Sequence, residues 1–299
     1  MEGTLATAAE WIEGARLRTL PASVAPVLMG AAVAASVGHL SWLRTVLAAL
    51  VALALQVAVN FSNDYSDGVR GTDEVRVGPQ RLIGSGAATP KQVLRAAIYC
   101  YLFACVAGLV LVALSGAWWL LAVGVACVLA AWFYTGGKHP YGYMGLGEVF
   151  VFIFFGLVAT AGTTYTQVGS VPAAAWAGSV VMGLLACAVL VCNNVRDLPR
   201  DAQSGKITLS VRLGDRGSRL FYVALVIFAL VALGVVVAAT SPWALIGLFI
   251  PGILLLPACR QIMAGTTGME LVKVLKRTSV AELTAGAGVF IGVLIAMVM

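Results

Sequence analysis

Charged residues are scarce in this 299-residue sequence: only 11% are Asp, Glu, Lys or Arg, whereas 61% are apolar. A soluble domain usually has about 25% charged and about 45–50% apolar residues. The imbalance excludes a water-soluble globular protein. The length accommodates about nine membrane-spanning helices of roughly 20 residues each and leaves too little chain for a separate soluble domain.

Side chains that commonly bind zinc or haem are also few. The sequence has two histidines, His39 and His139, and none of its six cysteines forms a Cys-x-x-Cys pair. A zinc or haem site of the usual kind is therefore not expected. The cysteines lie in or beside apolar runs, where small polarisable side chains serve packing.

Apolar runs separated by polar breaks predict nine transmembrane helices. They cover residues 20–37, 43–62, 93–114, 117–135, 146–166, 173–192, 219–240, 243–262 and 280–298. We therefore expect an all-α polytopic membrane protein in which residues 1–299 form a single integral-membrane domain.

The basic residues are distributed unequally between the two sides of this arrangement. The N-terminal segment and the even-numbered connections carry every Lys and Arg except Arg44, and the 13 acidic residues are expected on or near the same face. Basic residues mark the cytoplasmic side of membrane proteins. The pattern predicts a protein of the cell (inner) membrane with its N-terminus and active face cytoplasmic and its C-terminus outside. Because these charges report orientation, nucleic-acid binding is not expected.

Two acidic, amide-rich motifs end the second and sixth predicted helices. The first motif covers residues 60–74 and the second covers residues 193–201. In each motif an Asn is followed four residues later by an Asp, namely Asn63 with Asp67 and Asn193 with Asp197. That spacing places both side chains on one helical face. The matched positions predict an internal repeat of two four-helix halves plus a ninth helix.

The motifs have the chemistry of a metal-assisted polyanion site. Carboxylates crowded at a membrane surface repel one another unless cations neutralise them, and Mg²⁺ prefers such oxygen ligands. A solvated acidic loop balanced by its own arginines is the alternative, and the repetition of the motif argues against it. Neighbouring basic residues favour a diphosphate as ligand. These residues are Arg70, Arg76, Arg81, Lys138, Arg196, Arg200 and Lys206.

At these residues the sequence resembles the UbiA superfamily of intramembrane prenyltransferases. Asn63 to Asp67 resemble its first aspartate-rich motif, and Asn193 to Asp201 resemble its second. Lys138, four residues after Tyr134, resembles its Tyr-x-x-x-Lys segment. Within the superfamily, residues 63–73, 76–81 and 205–214 most resemble the branch acting on 1,4-dihydroxy-2-naphthoate in menaquinone synthesis. Gly71 stands where the superfamily has a third Asp in its first motif, and Asp73 follows it.

The resemblance implies Mg²⁺-dependent transfer of a polyprenyl group from polyprenyl diphosphate to 1,4-dihydroxy-2-naphthoate or a related aromatic acid. Diphosphate and CO₂ would leave, giving demethylmenaquinone, and two Mg²⁺ ions and the lipid bilayer would be the other partners. The implied catalytic residues are Asp67, Asp197, Asp201 and Lys138. The implied metal ligands are Asn63, Asp64, Asp67, Asp73, Asn193, Asp197 and Asp201. The implied substrate-binding residues are Asn60, Tyr65, Arg70, Arg81, Tyr134, Lys138, Arg200, Lys206 and Arg18.

A carbocation intermediate would need aromatic faces nearby. The candidates are Tyr65, Tyr134, Tyr141, Tyr143, Phe150 and Phe154. Arg16 and Arg18, before the first predicted helix, are either orientation charges or contacts to the carboxylate of the acceptor or to a headgroup.

Several alternative functions share parts of this pattern. The acceptor could instead be 4-hydroxybenzoate, homogentisate or a haem-like macrocycle. A divalent-cation or anion transporter would leave the arginines and the nearly uncharged opposite face unexplained. A CDP-alcohol phosphotransferase needs Asp-Gly-x-x-Ala-Arg, which the segment beginning Asp67-Gly68-Val69-Arg70 lacks.

Overall fold

A computed structural model of the chain describes residues 6–71 and 81–299. Over these residues it contains α-helices, one π-helical segment and short 3₁₀ turns and has no β-strand. The helices are α1 (Ala8–Gly14), α2 (Pro21–Ser36), α3 (Trp42–Val69), α4 (Pro90–Ser115), α5 (Leu120–Phe133), α6 (Gly147–Val168), α7 (Ala173–Gln203), α8 (Leu209–Thr240), α9 (Pro242–Met263) and α10 (Gly268–Val298).

Each of the nine predicted apolar segments is helical, as α2 to α10. By length and composition, seven described helices can cross a membrane, namely α3, α4 and α6 to α10. The segments Ala8–Thr19 and Pro21–Ser36 pass that test only together and are bent by 48°. Helix α5 is short, about 21 Å at 1.5 Å per residue. The structure thus supports a polytopic membrane protein, and the count of nine spans stays a prediction.

Several helices are longer than the apolar runs from which they were predicted. Helix α3 continues past residue 62 to Val69, α7 continues past 192 to Gln203, and α10 begins at Gly268 rather than at 280. Hydrophobicity marks where a helix leaves the apolar layer, whereas backbone hydrogen bonding continues through its polar end. Both acidic motifs therefore begin on helices and not in loops.

Two side chains show what the longer helices change. Helix α7 continues through Pro199, because the loss of one backbone hydrogen bond near a helix end does not stop the helix. Because α10 begins earlier than predicted, Glu282 lies well inside that helix with 0% of its surface exposed.

The helices pack around two main hydrophobic cores, with a third, small cluster of Val27, Ala48 and Leu111. The larger core joins α2, α7, α8, α9 and α10 and includes Met29, Leu185 and Tyr222. The smaller core joins α3, α4 and α5 around Phe61 and Val93. The polar ends of α3 and α7 carry the two motifs.

Glycines allow two close helix contacts near these cores. A Cβ on Gly286 of α10 would lie 2.3 Å from the carbonyl oxygen of Ala25 in α2. A Cβ on Gly156 of α6 would lie 2.6 Å from the Cα of Gly183 in α7. Helices α6, α7, α2 and α10 therefore hold one another at short distances.

Large apolar side chains cover the outside of the bundle. Exposed examples are Phe103 and Val106 on α4, Phe228 on α8, and Phe249 and Ile253 on α9. A soluble protein rarely exposes so continuous an apolar surface, whereas a bilayer solvates it. The chain is an integral membrane protein.

Candidate active site

The two acidic motifs line one polar cavity of about 240 Å³. Helix α3 contributes Asn63 and Asp67, and α7 contributes Asn193, Asp197 and Asp201. Because α7 is continuous through its motif, Asp197 and Asp201 lie one turn apart and reach the same space. Basic residues complete the polar wall of the cavity: Arg16, Arg18, Arg81, Arg200 and Lys206.

In the first motif, Asp67 is held by residues from other segments. The Tyr143 hydroxyl donates to its Oδ1 at 2.7 Å, and the Arg81 guanidinium lies 3.1 Å from its Oδ2. One helical turn earlier, Asn63 Oδ1 accepts a bond from the Thr135 hydroxyl at 2.7 Å. The connection between α5 and α6 thus orients both polar residues of this pair.

In the second motif, the carboxylates have cationic partners that are close in sequence. Arg196 donates to both oxygens of its neighbour Asp197, at 2.7 and 2.6 Å, and to Asn193 Oδ1 at 2.8 Å. Asp201 lies 3.3 Å from Lys206 Nζ, five residues later. One short stretch of chain therefore supplies both the carboxylates and the cations that face them.

These pairs offset the negative charge of the three carboxylates. Asp67, Asp197 and Asp201 are 13%, 17% and 9% exposed, so water stabilises them only weakly. Carboxylates at this depth are costly unless paired. A cation that faces a carboxylate across a cavity can also face a phosphate placed between them, so the same residues suit a ligand of opposite charge.

Tyr143 contacts cationic groups near both motifs. Its ring centroid lies 5.5 Å from the Arg70 guanidinium carbon and 5.5 Å from Lys206 Nζ. Burial and the adjacent charge of Asp67 raise the pKa of Tyr143 well above its ordinary value. The phenol therefore keeps its proton and acts as a donor. The sequence indicated Tyr143 only as an aromatic face.

Asp64 and Asn60, two predicted site residues of α3, hold neighbouring backbone. Asp64 is 1% exposed, and its carboxylate accepts from the backbone N–H groups of Leu82 at 2.9 Å and Ile83 at 3.4 Å. Asn60 donates to the carbonyl of Ala15 at 2.9 Å. Neither residue lines the polar cavity. Asp64 fixes the segment that begins with Arg81.

Other predicted residues also lie away from the polar cavity. Arg70 donates to the carbonyls of Thr135 and Gly137, and Tyr65 stacks on Trp132. Lys138 is exposed and does not line the cavity. The predicted residues Asp73 and Arg76 lie outside the described part of the chain.

An apolar cavity of about 360 Å³ adjoins the polar one between α3, α4, α5 and α6. Four of the six aromatic candidates line it: Tyr134, Tyr141, Phe150 and Phe154. The two cavities share the wall residues Gln56, Asn63, Tyr134, Val151 and Phe155. A molecule with a polar head and an apolar tail could therefore occupy both spaces at once.

The residues of α6 that line the apolar cavity lie partly on a π-helical segment, Phe152–Ala161. A π-helix has a wider turn than an α-helix and is frequent at functional sites. This segment contributes Phe154 and Val158 to the cavity and Phe155 to the shared wall. No pattern in the sequence predicted this change in helical period.

Sequence reasoning missed one polar pair of the site. Asn194 lines the polar cavity and donates to Glu148 Oε1 at 3.0 Å, and each residue is 5% exposed. The available signal was Glu148, a lone acid at the start of an apolar run. This pair joins α6 to α7 beside the second motif.

The donor set fits a metal that arrives with a phosphate ligand. Among the described residues, no group of three or more His, Cys, Asp or Glu side chains is close enough to hold a metal ion. Mg²⁺ needs only one or two carboxylates when phosphate oxygens and water complete its octahedral shell. The carboxylate and amide oxygens that line this cavity meet that requirement.

Comparison with known proteins agrees with this geometry. The model of the UbiA prenyltransferase family matches residues 23–280. The chain is 50% identical over 279 residues to the 1,4-dihydroxy-2-naphthoate octaprenyltransferase of Mycobacterium tuberculosis, which covers 93% of this chain and 94% of that relative.

Solved structures show the same fold. A UbiA homologue from Aeropyrum pernix matches with a TM-score of 0.72 at 16% identity, covering 94% of this chain and 99% of that one. A UbiA homologue from Archaeoglobus fulgidus, solved with GPP and Mg²⁺, matches with a TM-score of 0.65 at 12% identity, with the same coverage.

Proposed function

Because this chain belongs to the UbiA prenyltransferase family, we propose that it transfers a polyprenyl group from polyprenyl diphosphate to 1,4-dihydroxy-2-naphthoate. The direct products are demethylmenaquinol, diphosphate and CO₂, and the reaction requires Mg²⁺. Demethylmenaquinone then forms when a separate electron acceptor removes two electrons and two protons from the quinol. The single observation that carries this proposal is that both acidic motifs line one polar cavity adjoining an apolar one. The name of the Mycobacterium tuberculosis relative supports the choice of acceptor.

The oxygen atoms of Asn63 and Asp67 on α3, and of Asn193, Asp197 and Asp201 on α7, would hold Mg²⁺. When bound, Mg²⁺ neutralises the diphosphate and so stabilises it as a leaving group. Asp64 and Asp73 were also predicted ligands. Asp64 is better suited to hold Leu82, and Asp73 stays a prediction from the first motif.

The basic residues of the cavity bind the outer oxygens of the diphosphate. Arg81, Arg200 and Lys206 line the space between the two motifs. Arg81 can donate to a phosphate oxygen and to Asp67 together, because a guanidinium has five N–H donors. Lys138, which is exposed and outside the cavity wall, stays a predicted diphosphate contact because it follows Tyr134 of that wall by four residues.

The reaction itself exchanges one carbon–oxygen bond for a carbon–carbon bond. The allylic C–O bond breaks with its electron pair on the diphosphate oxygen, leaving an allylic cation. An electron-rich ring carbon of the acceptor then bonds to that cation. The ring carboxylate leaves as CO₂, and the electrons of its bond restore the aromatic ring.

The apolar cavity holds the isoprenoid tail and keeps water from the cation. Tyr134 and Phe155 lie in the wall shared by both cavities, where the reacting carbon would be placed. Aromatic faces stabilise a cation at that point, and the surrounding aliphatic side chains exclude water that would otherwise capture it.

The acceptor binds beside the turn between α1 and α2. Arg16, Arg18 and Thr19 line the polar cavity there, and Arg16 adopts a left-handed backbone conformation with φ of 56°. Guanidinium groups at this wall suit an aromatic carboxylate. The same chemistry would admit 4-hydroxybenzoate, so the acceptor is the first quantity to test.

We also propose that residues 1–299 form a single domain of nine spans in two repeated halves, with the active face and N-terminus cytoplasmic and the C-terminus outside, in the cell (inner) membrane. Corresponding helix pairs of the two halves, α3 with α4 and α7 with α8, pack against each other. Tryptophans lie near the starts of α3, α5, α7 and α9, opposite the basic ends, as expected at the other membrane surface. These are Trp42, Trp119, Trp176 and Trp243.

The test uses purified protein in lipid nanodiscs with a polyprenyl diphosphate, Mg²⁺ and one labelled acceptor at a time. We expect prenylated naphthol, labelled CO₂ from the carboxyl-labelled naphthoate, and one diphosphate released per product. Chelation of the metal should abolish all three. Prenylation of 4-hydroxybenzoate but not of the naphthoate would overturn the choice of acceptor.

A further inference from the structure

The connection between α5 and α6, residues 134–146, contacts both acidic motifs. On the side of the first motif, Thr135 donates to Asn63, and the carbonyls of Thr135 and Gly137 accept from Arg70. This connection is therefore bound to α3 through its first residues.

The later residues of the same connection are bound to the segment after the second motif. The backbone N–H of Ile207 donates to the carbonyl of Tyr143 at 3.1 Å, and Arg212 donates to the carbonyl of Met144 at 3.0 Å. Gly145 has a positive φ of 76°, and a Cβ there would lie 2.9 Å from Arg212 Nε. The connection thus lies between the ends of α3 and α7.

Within this connection, the side chain of Tyr143 contacts both sides. Its hydroxyl donates to Asp67 Oδ1 at 2.7 Å, and its ring lies 5.5 Å from Lys206 Nζ, which is itself 3.3 Å from Asp201. A hydrogen bond to a charged group and a cation–π contact each favour one arrangement of the groups they join. The phenol therefore fixes a carboxylate of the first motif, while its ring fixes a cation of the second.

We infer that Tyr143 is a positioning residue that orients Asp67 and Lys206 toward the same diphosphate, although it need not touch that ligand itself. The inference rests on the proposed function of this cavity. With Oδ1 of Asp67 engaged by Tyr143 and Oδ2 by Arg81, the carboxylate is held in one orientation at the wall of the cavity. In the absence of ligand, the ring holds the Lys206 ammonium beside Asp201, where a bound phosphate can accept a hydrogen bond from it.

Two substitutions separate the hydroxyl from the ring. Tyr143→Phe keeps the ring beside Lys206 and removes the donor to Asp67. Tyr143→Leu removes both. Tyr165→Phe is the matched control. The Tyr165 hydroxyl also makes one side-chain hydrogen bond, which it accepts from Trp119, but Tyr165 lines neither cavity.

The readout is binding of inorganic pyrophosphate to the full-length protein in nanodiscs, titrated with Mg²⁺ by calorimetry. For Tyr143→Phe we expect the Mg²⁺ concentration at half-saturation to rise about tenfold, the effect of losing one hydrogen bond to a charged group. For Tyr143→Leu we expect a further weakening of pyrophosphate binding of roughly fivefold, from the lost cation–π contact. Tyr165→Phe should bind as the wild type does.

A purely structural role for Tyr143 predicts a different result. Both variants would then lose thermal stability, while the folded protein would keep its wild-type Mg²⁺ and pyrophosphate titrations, and that result would overturn the inference. Because Tyr143→Phe is nearly isosteric, it stays informative if Tyr143→Leu does not fold.

Failure of this inference is distinguishable from failure of the proposed function. Wild-type protein that binds magnesium pyrophosphate but transfers no prenyl group to any acceptor would refute the function and leave the role of Tyr143 intact. Active wild-type protein whose Tyr143→Phe variant titrates identically would refute the role of Tyr143 alone.

Discussion

The two acidic motifs have the same residue spacing and differ in where their partners come from. Asp67 is oriented by Arg81 and by Tyr143, which lies 76 residues later in the chain. Asp197 and Asp201 are faced by Arg196 and Lys206, which are close neighbours in sequence. The described partners of Asp67 thus come from other segments, whereas Asp197 and Asp201 each have a described cationic partner from the same helix end or just after it.

The two motifs should therefore differ in how strongly they respond to changes elsewhere in the protein. Arg196 and Asp197 lie on the same helix, so this pair is expected to keep its arrangement when other parts of the molecule are perturbed. The partners of Asp67 come from segments that must dock first. Changes in distant segments should therefore reach activity through the first motif.

The largest effect should come from removing one carboxylate of either motif. Asp67→Asn and Asp197→Asn each leave a site with too few anionic ligands for Mg²⁺, and we expect diphosphate release to fall by about 1,000-fold or more, within the range of losing a main electrostatic contribution to catalysis. Release is measured in nanodiscs with a saturating donor, and membrane insertion and thermal unfolding serve as controls. Near wild-type release by one variant would mean that the other motif works alone.

Removing a cation should raise the KM for the donor at both motifs, and the effect should be larger at the first motif. Arg81 is 9% exposed and Lys206 is 27% exposed, so solvent screens the lysine more. We expect Arg81→Gln to raise the KM for the donor by roughly 10- to 100-fold and Lys206→Gln to raise it by about tenfold. Initial rates at varied donor concentration give both values. Equal effects would contradict the role assigned to burial.

Asp64 and Asp201 should separate stability from activity. Asp64 holds buried backbone N–H groups, so Asp64→Asn should lower the free energy of unfolding by about 1–3 kcal/mol and change the Mg²⁺ dependence little. Asp201→Asn should raise the Mg²⁺ concentration needed for half-maximal activity and change the free energy of unfolding little. Thermal unfolding in detergent, together with Mg²⁺ titrations of activity, compares the two variants. If Asp64→Asn shifts the Mg²⁺ titration as strongly as Asp201→Asn does, then Asp64 is a ligand after all.

The smallest effect should come from Lys138, which is exposed at the edge of the connection between α5 and α6. Exposed charge pairs contribute about 0.2–1 kcal/mol, so Lys138→Ala should raise the KM for the donor by less than about fivefold and leave kcat nearly unchanged. Steady-state kinetics in nanodiscs measure both, with His139→Ala as the neighbouring control. A loss as large as that of Arg81→Gln would place Lys138 among the main diphosphate ligands.

Regular spacing made much of this site predictable. The four-residue steps from Asn63 to Asp67 and from Asn193 to Asp197 and Asp201 require only a helix to bring each set to one face, and α3 and α7 continue far enough to do so. The nine helical segments were also predictable, because each is marked by a local run of apolar residues. Their ends were less predictable, because hydrophobicity falls before helical hydrogen bonding ends.

Contacts between distant segments were beyond sequence reasoning. Nothing in the spacing of Asp64 shows that its carboxylate turns toward the backbone of Leu82 and away from the cavity. The partnership of Tyr143 with Asp67 depends on how a connection docks between two helix ends, as does the pairing of Glu148 with Asn194. Such contacts follow from the packing of α3, α6 and α7 and leave no periodic trace.

The central claim is that the two motifs bind one diphosphate together. Calorimetric titration of magnesium pyrophosphate into wild-type protein, Asp67→Asn, Asp197→Asn and the double variant tests it most directly. We predict one pyrophosphate per wild-type chain, loss of binding in each single variant, and no further loss in the double variant. Two independent sites, or a single variant that keeps one full-affinity site, would contradict the claim.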